Sequence, residues 1–282
     1  MSNSLDTPID PNSIKADGPI QVSNVMKDDF GFEIPQESVP LPSRGAIYPL
    51  DGPLHGQETI DIKPMTAREE DILTSRAYIK NGTVLTKLLN SCITNKSINP
   101  DDLISGDRNA LLVSLRITGY GADYDVEVEC PECGTKSKQS FDLSQLHIKR
   151  LDVQPVVAGD NLFEVQLPVT KKAVRVKFLT GHDERDMMIT NERKKKSGMK
   201  IETAVTDRLS RSIVSVDGIT DRNKLAFFIK SLPARDSLAL RRFLDKHEPG
   251  IIMKSWMSCP HCHEQSEVGL PMGASFFWPD TE

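Results

Sequence analysis

The spacing of apolar positions changes period several times along the chain. Glu58 to Ile62 alternates apolar and polar, which predicts a short strand. Thr66-Ala-Arg-Glu69 fits a capping box, so a helix is expected from there through about Ile79. Val84, Leu85, Leu88, Leu89 and Cys92 share one face of a second helix, and Cys92 is then a small core thiol. A third helix is expected from near Asp107 through Leu111, Leu112 and Leu115. The period then shortens. Tyr124 to Glu129 alternates as a strand leading into Cys130, and Ser137 to Leu143 leaves as another. Asn161–Leu167 and Ala173–Leu179 flank a turn around Pro168 to Lys172 and read as a hairpin. Residues 182 to about 247 read as helical in three pieces, broken at Asp217-Gly218 and Leu232-Pro233. Strand-like residues return around Cys259, before the closing Phe276-Phe277-Trp278-Pro279.

Composition changes this picture at one end. Residues 1–40 hold five prolines and carry seven acids against two lysines, which is the whole net charge of −5. Few clustered apolar residues are there to offset chain entropy, so a flexible acidic tail is expected, with Phe30 and Phe32 available to a partner. Residues 41–282 hold 33 bases and 33 acids. A neutral body lacks the excess Lys/Arg of a dominant nucleic-acid surface. No stretch approaches the roughly 18–20 apolar residues that span a bilayer. Met1-Ser-Asn-Ser-Leu-Asp6 has neither a basic start nor an apolar core, so no secretory signal is expected, and the folding compartment is a reducing cytoplasm. Its five cysteines then read as metal ligands or core thiols, not disulfides.

Cys130-Pro-Glu-Cys133 and Cys259-Pro-His-Cys262 are the most informative feature. Two residues between cysteines let both sulfurs face one centre, with backbone N–H groups of the turn aimed at the thiolates. Proline in second position fixes φ for that turn, and Gly134 follows where a positive φ is often wanted. Two such knuckles supply the four soft ligands of a closed tetrahedral zinc site. The 125 residues between Cys133 and Cys259 exceed the usual spacing, but metal coordination can join distant segments around an inserted domain. A Cys3His set using His261 or His263 is the variant. A dithiol redox pair is the alternative for either motif alone. Four protein ligands leave no position for water, so one structural zinc per chain is expected, held by Cys130, Cys133, Cys259 and Cys262.

The expected fold is α+β. A flexible acidic tail (1–40) precedes an extended and helical N-terminal region (41–120). A lobe of β-hairpin plus helices (144–251) follows. It is closed by a discontinuous zinc-ribbon-like module (121–143 plus 252–282).

Little else suggests chemistry. There is no phosphate-binding Gly-rich loop with Lys-Ser/Thr and no Gly-x-Ser-x-Gly elbow. Asp183, Glu184 and Asp186 follow Thr180-Gly181 and read as helix N-terminal charge. Arg193-Lys-Lys-Lys196, with Lys200 nearby, falls at the expected C-terminal end of that helix; a phosphate or nucleic-acid contact is its alternative. His55, His147 and His247 stand apart. Neither catalysis nor a small-molecule substrate is expected. The closing aromatics read either as packing against the zinc module or as an anchor for a protein partner.

Several short runs, taken in order, carry a resemblance. They are Leu41-Pro-Ser-Arg-Gly45 with Tyr48-Pro49, Pro64-Met65-Thr66 with Glu69-Glu70, and Arg116 with Tyr120-Gly121. Cys130-Pro-Glu-Cys-Gly134, Leu167-Pro168, Leu179-Thr180-Gly181, Leu232-Pro233-Ala-Arg-Asp236, Pro249 and the closing Phe276-Phe-Trp-Pro279 continue the series. Over about residues 38–280 the chain resembles the baseplate hub protein family of T-even-type contractile-tailed phages. The resemblance implies a role in building the central hub of the tail baseplate, as a virion subunit or as an assembly factor in the host cytoplasm. Its partners would be other hub or tail proteins. The second knuckle departs from the pattern, with His263 where the first has Gly134. A zinc-ribbon protein that binds nucleic acid through Arg193–Lys196, and a thiol redox protein, are the alternatives.

Overall fold

A computed structural model describes residues 22–27, 33–196, 203–272 and 274–277. In chain order the first strands are β1 (Val22–Lys27), β2 (Glu33–Pro40) and β3 (Thr59–Ile62). Helices α1 (Ala67–Thr74), α2 (Arg76–Lys80), α3 (Val84–Cys92) and α4 (Ser105–Tyr120) follow. Then come β4 (Asp123–Glu129), β5 (Lys136–Asp142), β6 (Ile148–Lys149), β7 (Phe163–Gln166) and β8 (Ala173–Val176). The rest is α5 (Gly181–Lys196), α6 (Ala204–Ser212), β9 (Ile213–Val216), α7 (Arg222–Lys230) and α8 (Ala234–His247). It ends with β10 (Gly250–Ile251), β11 (Lys254–Ser258), β12 (Gln265–Gly269) and a 3-10 turn, Ala274–Phe277. The fold class is α+β, with small antiparallel sheets set around helices.

Two local expectations meet different chemistry. The helix after Thr66 breaks at Ser75, whose backbone is extended (φ −64°, ψ 106°), so α1 and α2 are separate. The Glu69 carboxylate accepts the Thr66 backbone N–H at 2.9 Å, the reciprocal half of a capping box. The described residues of 182–247 contain four helices and a strand instead of three helical pieces. Ile213-Val-Ser-Val216 is β-branched, and it pairs with β8 to make the third strand of β7-β8-β9.

The segment expected to be a tail is partly strand. β2 is the middle strand of β1-β2-β3, with Val22, Glu37 and Ile62 in register across it. Val39 is buried in the core, a contribution that a composition averaged over forty residues conceals. Phe30 and Phe32 lie outside the described residues, as do Lys200, Trp278 and Pro279.

One apolar cluster runs through the molecule, and α4 crosses its middle with Leu111, Leu112 and Leu115 buried. Two backbone approaches fix where α4 lies. A Cβ on Gly106 would stand 1.7 Å from the Pro249 carbonyl oxygen, so only glycine lets the helix meet the strand that follows α8. At the other end Gly121 takes φ +87° and stops the helix before β4.

The lead-in at residues 41–57 is tied to the same helix. Asp107, fully buried in the first turn of α4, accepts the Ser43 N–H at 2.9 Å, the Ser43 hydroxyl at 2.5 Å and the Tyr48 hydroxyl at 2.6 Å. The Tyr48 oxygen in turn accepts the Ile104 N–H at 3.1 Å. Burial raises both the Asp107 carboxyl and the Tyr48 phenol above their usual ranges.

Candidate metal centre

β4 and β5 pair antiparallel from Asp123↔Asp142 to Glu129↔Lys136, with the first cysteine knuckle at the tip of their hairpin. β11 and β12 pair from Lys254↔Gly269 to Ser258↔Gln265, with the second knuckle at the tip. Alternation along β4 puts Tyr124 and Val128 inward, and along β11 and β12 it does the same for Met257 and Val268. The apolar faces hold the two hairpins so that their tips meet.

The knuckles are near-copies. The Cys130 N–H donates to the Thr135 carbonyl (3.0 Å), and Gly134 N–H donates to the Cys130 carbonyl (2.9 Å). The Cys259 N–H donates to the Glu264 carbonyl (3.0 Å), and His263 N–H donates to the Cys259 carbonyl (2.9 Å). Gly134 has φ +70° and His263 has φ +62°, so the histidine adopts the left-handed turn that its glycine counterpart takes without strain. The departure of the second knuckle from the pattern is therefore one of cost and not of shape.

All four predicted sulfurs come together. The Sγ atoms of Cys130, Cys133, Cys259 and Cys262 lie within 4.8 Å of one another. The nearest approaches cross between knuckles: Cys130 to Cys262 at 3.8 Å and Cys133 to Cys259 at 3.7 Å. Ligands at about 2.3 Å from a tetrahedral ion stand about 3.8 Å apart, so this spacing fits an ion bound by four thiolates. His261 and His263 are not part of the cluster.

The electrostatics also favour a cation. Hydrogen bonds from Thr135 pull the Cys133 thiol down to about 6. Backbone N–H groups of Cys262 and His261 lower Cys259. The Glu264 N–H favours the Cys262 thiolate, yet desolvation and the other three sulfurs push it up to about 12. Four thiolates in one place repel one another, and a divalent ion removes that repulsion.

Arg116 ties the end of the β4–β5 hairpin remote from the cysteines to the C-terminal segment. It is 2% exposed, and no carboxylate pairs with it among the described residues. Its Nε donates to the Phe276 carbonyl (2.8 Å), Nη1 to Gly121 (2.7 Å) and Nη2 to Asp123 (2.9 Å). The Phe276 ring meets Tyr124 edge-on at 5.3 Å, and the Tyr124 hydroxyl donates to the Pro271 carbonyl at 2.8 Å. Phe276 and Phe277 are buried here, so they pack internally and do not serve as a surface anchor. Sequence spacing gave no signal for these contacts, because Arg116 and Phe276 are 160 residues apart.

The remaining candidates read as structural. Asp183 accepts the Thr180 N–H (3.1 Å) and the Lys177 ammonium (2.6 Å) at the start of α5. Lys194, within the basic run, donates to Asp207 at 2.7 Å and to Thr203 at 2.7 Å. Cys92 is fully buried, and burial raises its thiol to about 12, as befits an inert core thiol. No helix among the described residues is long and apolar enough to cross a membrane.

No curated protein and no solved structure matches the chain. A family model described as T4 bacteriophage base plate protein matches residues 46–278, a span that holds both knuckles, Asp107, Arg116 and Phe276. The chain belongs to the T4 bacteriophage base plate protein family.

Proposed function

We propose that this base plate protein is a structural or assembly component of the hub region of a contractile tail, held closed by one structural zinc. The carrying observation is the convergence of four sulfurs at tetrahedral spacing from two knuckles 125 residues apart, inside the span that matches the family. On this reading residues 121–143 and 252–282 form one discontinuous zinc-ribbon-like module, and 144–251 is the lobe it closes. Cys130, Cys133, Cys259 and Cys262 fill every coordination position, so the metal stabilises and does not catalyse. The work of the protein is protein–protein contact, and it is not an enzyme. Phe276 and Phe277 being internal, the exposed aromatics among the described residues are Trp256 on β11 and Phe227 on α7, at 70% and 76% exposure.

Neither alternative gains from the geometry. The basic run is partly occupied by Lys194 holding Asp207. The four sulfurs form one shared cluster, with contacts between knuckles at 3.8 and 3.7 Å, and not two separate dithiol pairs.

Two measurements test the proposal. Elemental analysis should give close to one zinc per chain, and Cys130→Ser or Cys259→Ser should lower the unfolding midpoint. A metal-free chain as stable as the metal-loaded one would refute the zinc role. Quantitative mass spectrometry of purified particles decides the rest. A fixed copy number makes the protein a subunit. Absence from particles together with binding to hub proteins before assembly makes it an assembly factor. Absence from both would overturn the assignment.

A further inference from the structure

The helical region holds a pocket of about 610 Å³ among α1, α2 and α3 whose charged lining is all of one sign: Lys63, Arg68, Lys87 and Lys96. Its uncharged lining combines Ile72, Ile93 and Tyr78 with Asn90, Ser91 and Thr94. We propose that this pocket binds an acidic segment of a neighbouring baseplate protein, with an apolar side chain against Ile72, Ile93 and Tyr78 and flanking carboxylates at the cationic rim.

The body carries as many acids as bases, and its cations are commonly paired across its surface: Lys172 with Asp217, Lys177 with Asp183, Lys254 with Glu267. At the pocket this breaks down. Lys63 meets buried Glu69 at 3.2 Å, and that carboxylate is also held by Ser91 and Thr66. Lys96 donates to the carbonyls of Asn90 (2.8 Å) and Ile93 (2.7 Å) and so closes the end of α3. Arg68 and Lys87 are exposed and have no ion-pair partner among the described residues. One carboxylate thus sits among four cations. Desolvation first, then the charge of Lys63, lowers the Lys96 ammonium, while Glu69 acts against them. An acidic partner segment would balance the four cations, and rim charges would steer it into place.

A polypeptide suits the site better than nucleic acid. Ile72, Ile93 and Tyr78 share the lining with the four cations, which suits an apolar side chain of a peptide, and the body has no excess of Lys/Arg over Asp/Glu. The partner's identity rests on the chain's place among baseplate proteins, but the binding test does not.

The test uses the full, metal-loaded chain and a synthetic twelve-residue peptide with one leucine flanked by aspartates and glutamates. Fluorescence anisotropy should show binding that weakens at least tenfold between 50 and 300 mM salt, on the order expected for exposed charges. Replacing the acids by their amides should weaken it at least tenfold, and so should Arg68→Glu with Lys87→Glu. The double variant should keep its unfolding midpoint, since neither side chain holds a partner. Equal binding by the amide peptide or by the double variant overturns the proposal. Tighter binding of a single-stranded oligonucleotide of equal charge overturns it in favour of nucleic acid. A tenfold gain in peptide affinity on deleting residues 1–21 overturns it in favour of the chain's own acidic N-terminal segment.

Discussion

Replacing Arg116 by methionine keeps the apolar stem and removes three donors at once. The side chain is 2% exposed and holds the carbonyls of Phe276, Gly121 and Asp123 at 2.7–2.9 Å. Hydrogen bonds from a charged donor contribute about 1.5–3 kcal/mol each. Three would give up to about 9 kcal/mol, but taking a guanidinium out of water costs several. Water can reach the Gly121 and Asp123 carbonyls once the fork is gone, because both contacts are only part-buried. The Phe276 carbonyl is enclosed, and its orphaning costs the full desolvation of about 1–3 kcal/mol. The expected net loss is about 3 kcal/mol, read as a fall in urea midpoint with any bound metal held at the parent's level. Arg116→Lys carries an ammonium too compact to span three carbonyls, so it should recover only about a third of that loss. If Arg116→Met lies within about 0.5 kcal/mol of the parent, or if lysine restores it fully, the three-carbonyl fork is not what stabilises this region.

Three further outcomes follow from single positions. Gly106→Ala should cost about 3 kcal/mol or more by chemical denaturation, because its methyl would overlap the Pro249 carbonyl and must push α4 away. His263→Gly relieves a left-handed φ of +62° and should raise the unfolding free energy of the metal-loaded protein by about 0.5–1 kcal/mol, whereas Gly134→Ala should lower it by a similar amount. Burial pushes the Glu37 carboxyl up to about 7, and its Oε2 meets no hydrogen-bond donor among the described residues. A carboxyl raised on folding binds its proton more tightly in the native state. Stability is then fully present below the unfolded value of about 4.5 and is lost as pH climbs through about 7. Urea midpoints at pH 5 and pH 7.5 should show that loss, and Glu37→Gln should flatten it.

What the sequence disclosed depended on how local each cause was. The stripe of Val84 to Cys92, the alternation of Tyr124 to Glu129 and the turn around Pro168 each lie within one element, and each appears where the pattern put it. The cysteine pairs were legible because two knuckles can be read separately and then matched by chemistry. Asp107 gave only a helix start, although it joins Ser43 and Tyr48 from about 60 residues away. Nothing local distinguishes a carboxylate that caps its own helix from one that receives a distant loop. β9 is likewise invisible from local sequence. Four β-branched or small residues beside a helix become a strand only because β8 offers an edge to pair with. Glu33–Pro40 was missed because its proline and acid content outweighed Val39, the residue that tertiary contact selects.

Two independent attachments now bear on the same segment. With a metal bound as proposed, the sulfurs would fasten the β11–β12 hairpin to the β4–β5 tip, and Arg116 fastens Phe276 to the end of α4. Between them Leu270 N–H donates to the Met253 carbonyl at 2.9 Å, and the Tyr124 hydroxyl donates to the Pro271 carbonyl at 2.8 Å. Release of the segment therefore needs both attachments to fail. If each contributes about 3 kcal/mol to the opening free energy, losing one leaves the segment detached in well under a tenth of molecules. Losing both makes detachment a major state while α4 and the β7-β8-β9 sheet stay folded. Hydrogen exchange in the β12 amides reads this directly. Chelation alone and Arg116→Met alone should each speed exchange only within the protected range. Chelation of the Arg116→Met variant should bring β12 to near-unprotected rates with α4 still protected. If chelation alone releases β12, the metal is the sole closure and Arg116 merely fills space. If the doubly weakened chain keeps β12 protected, packing of Met257 and Val268 closes the module without either.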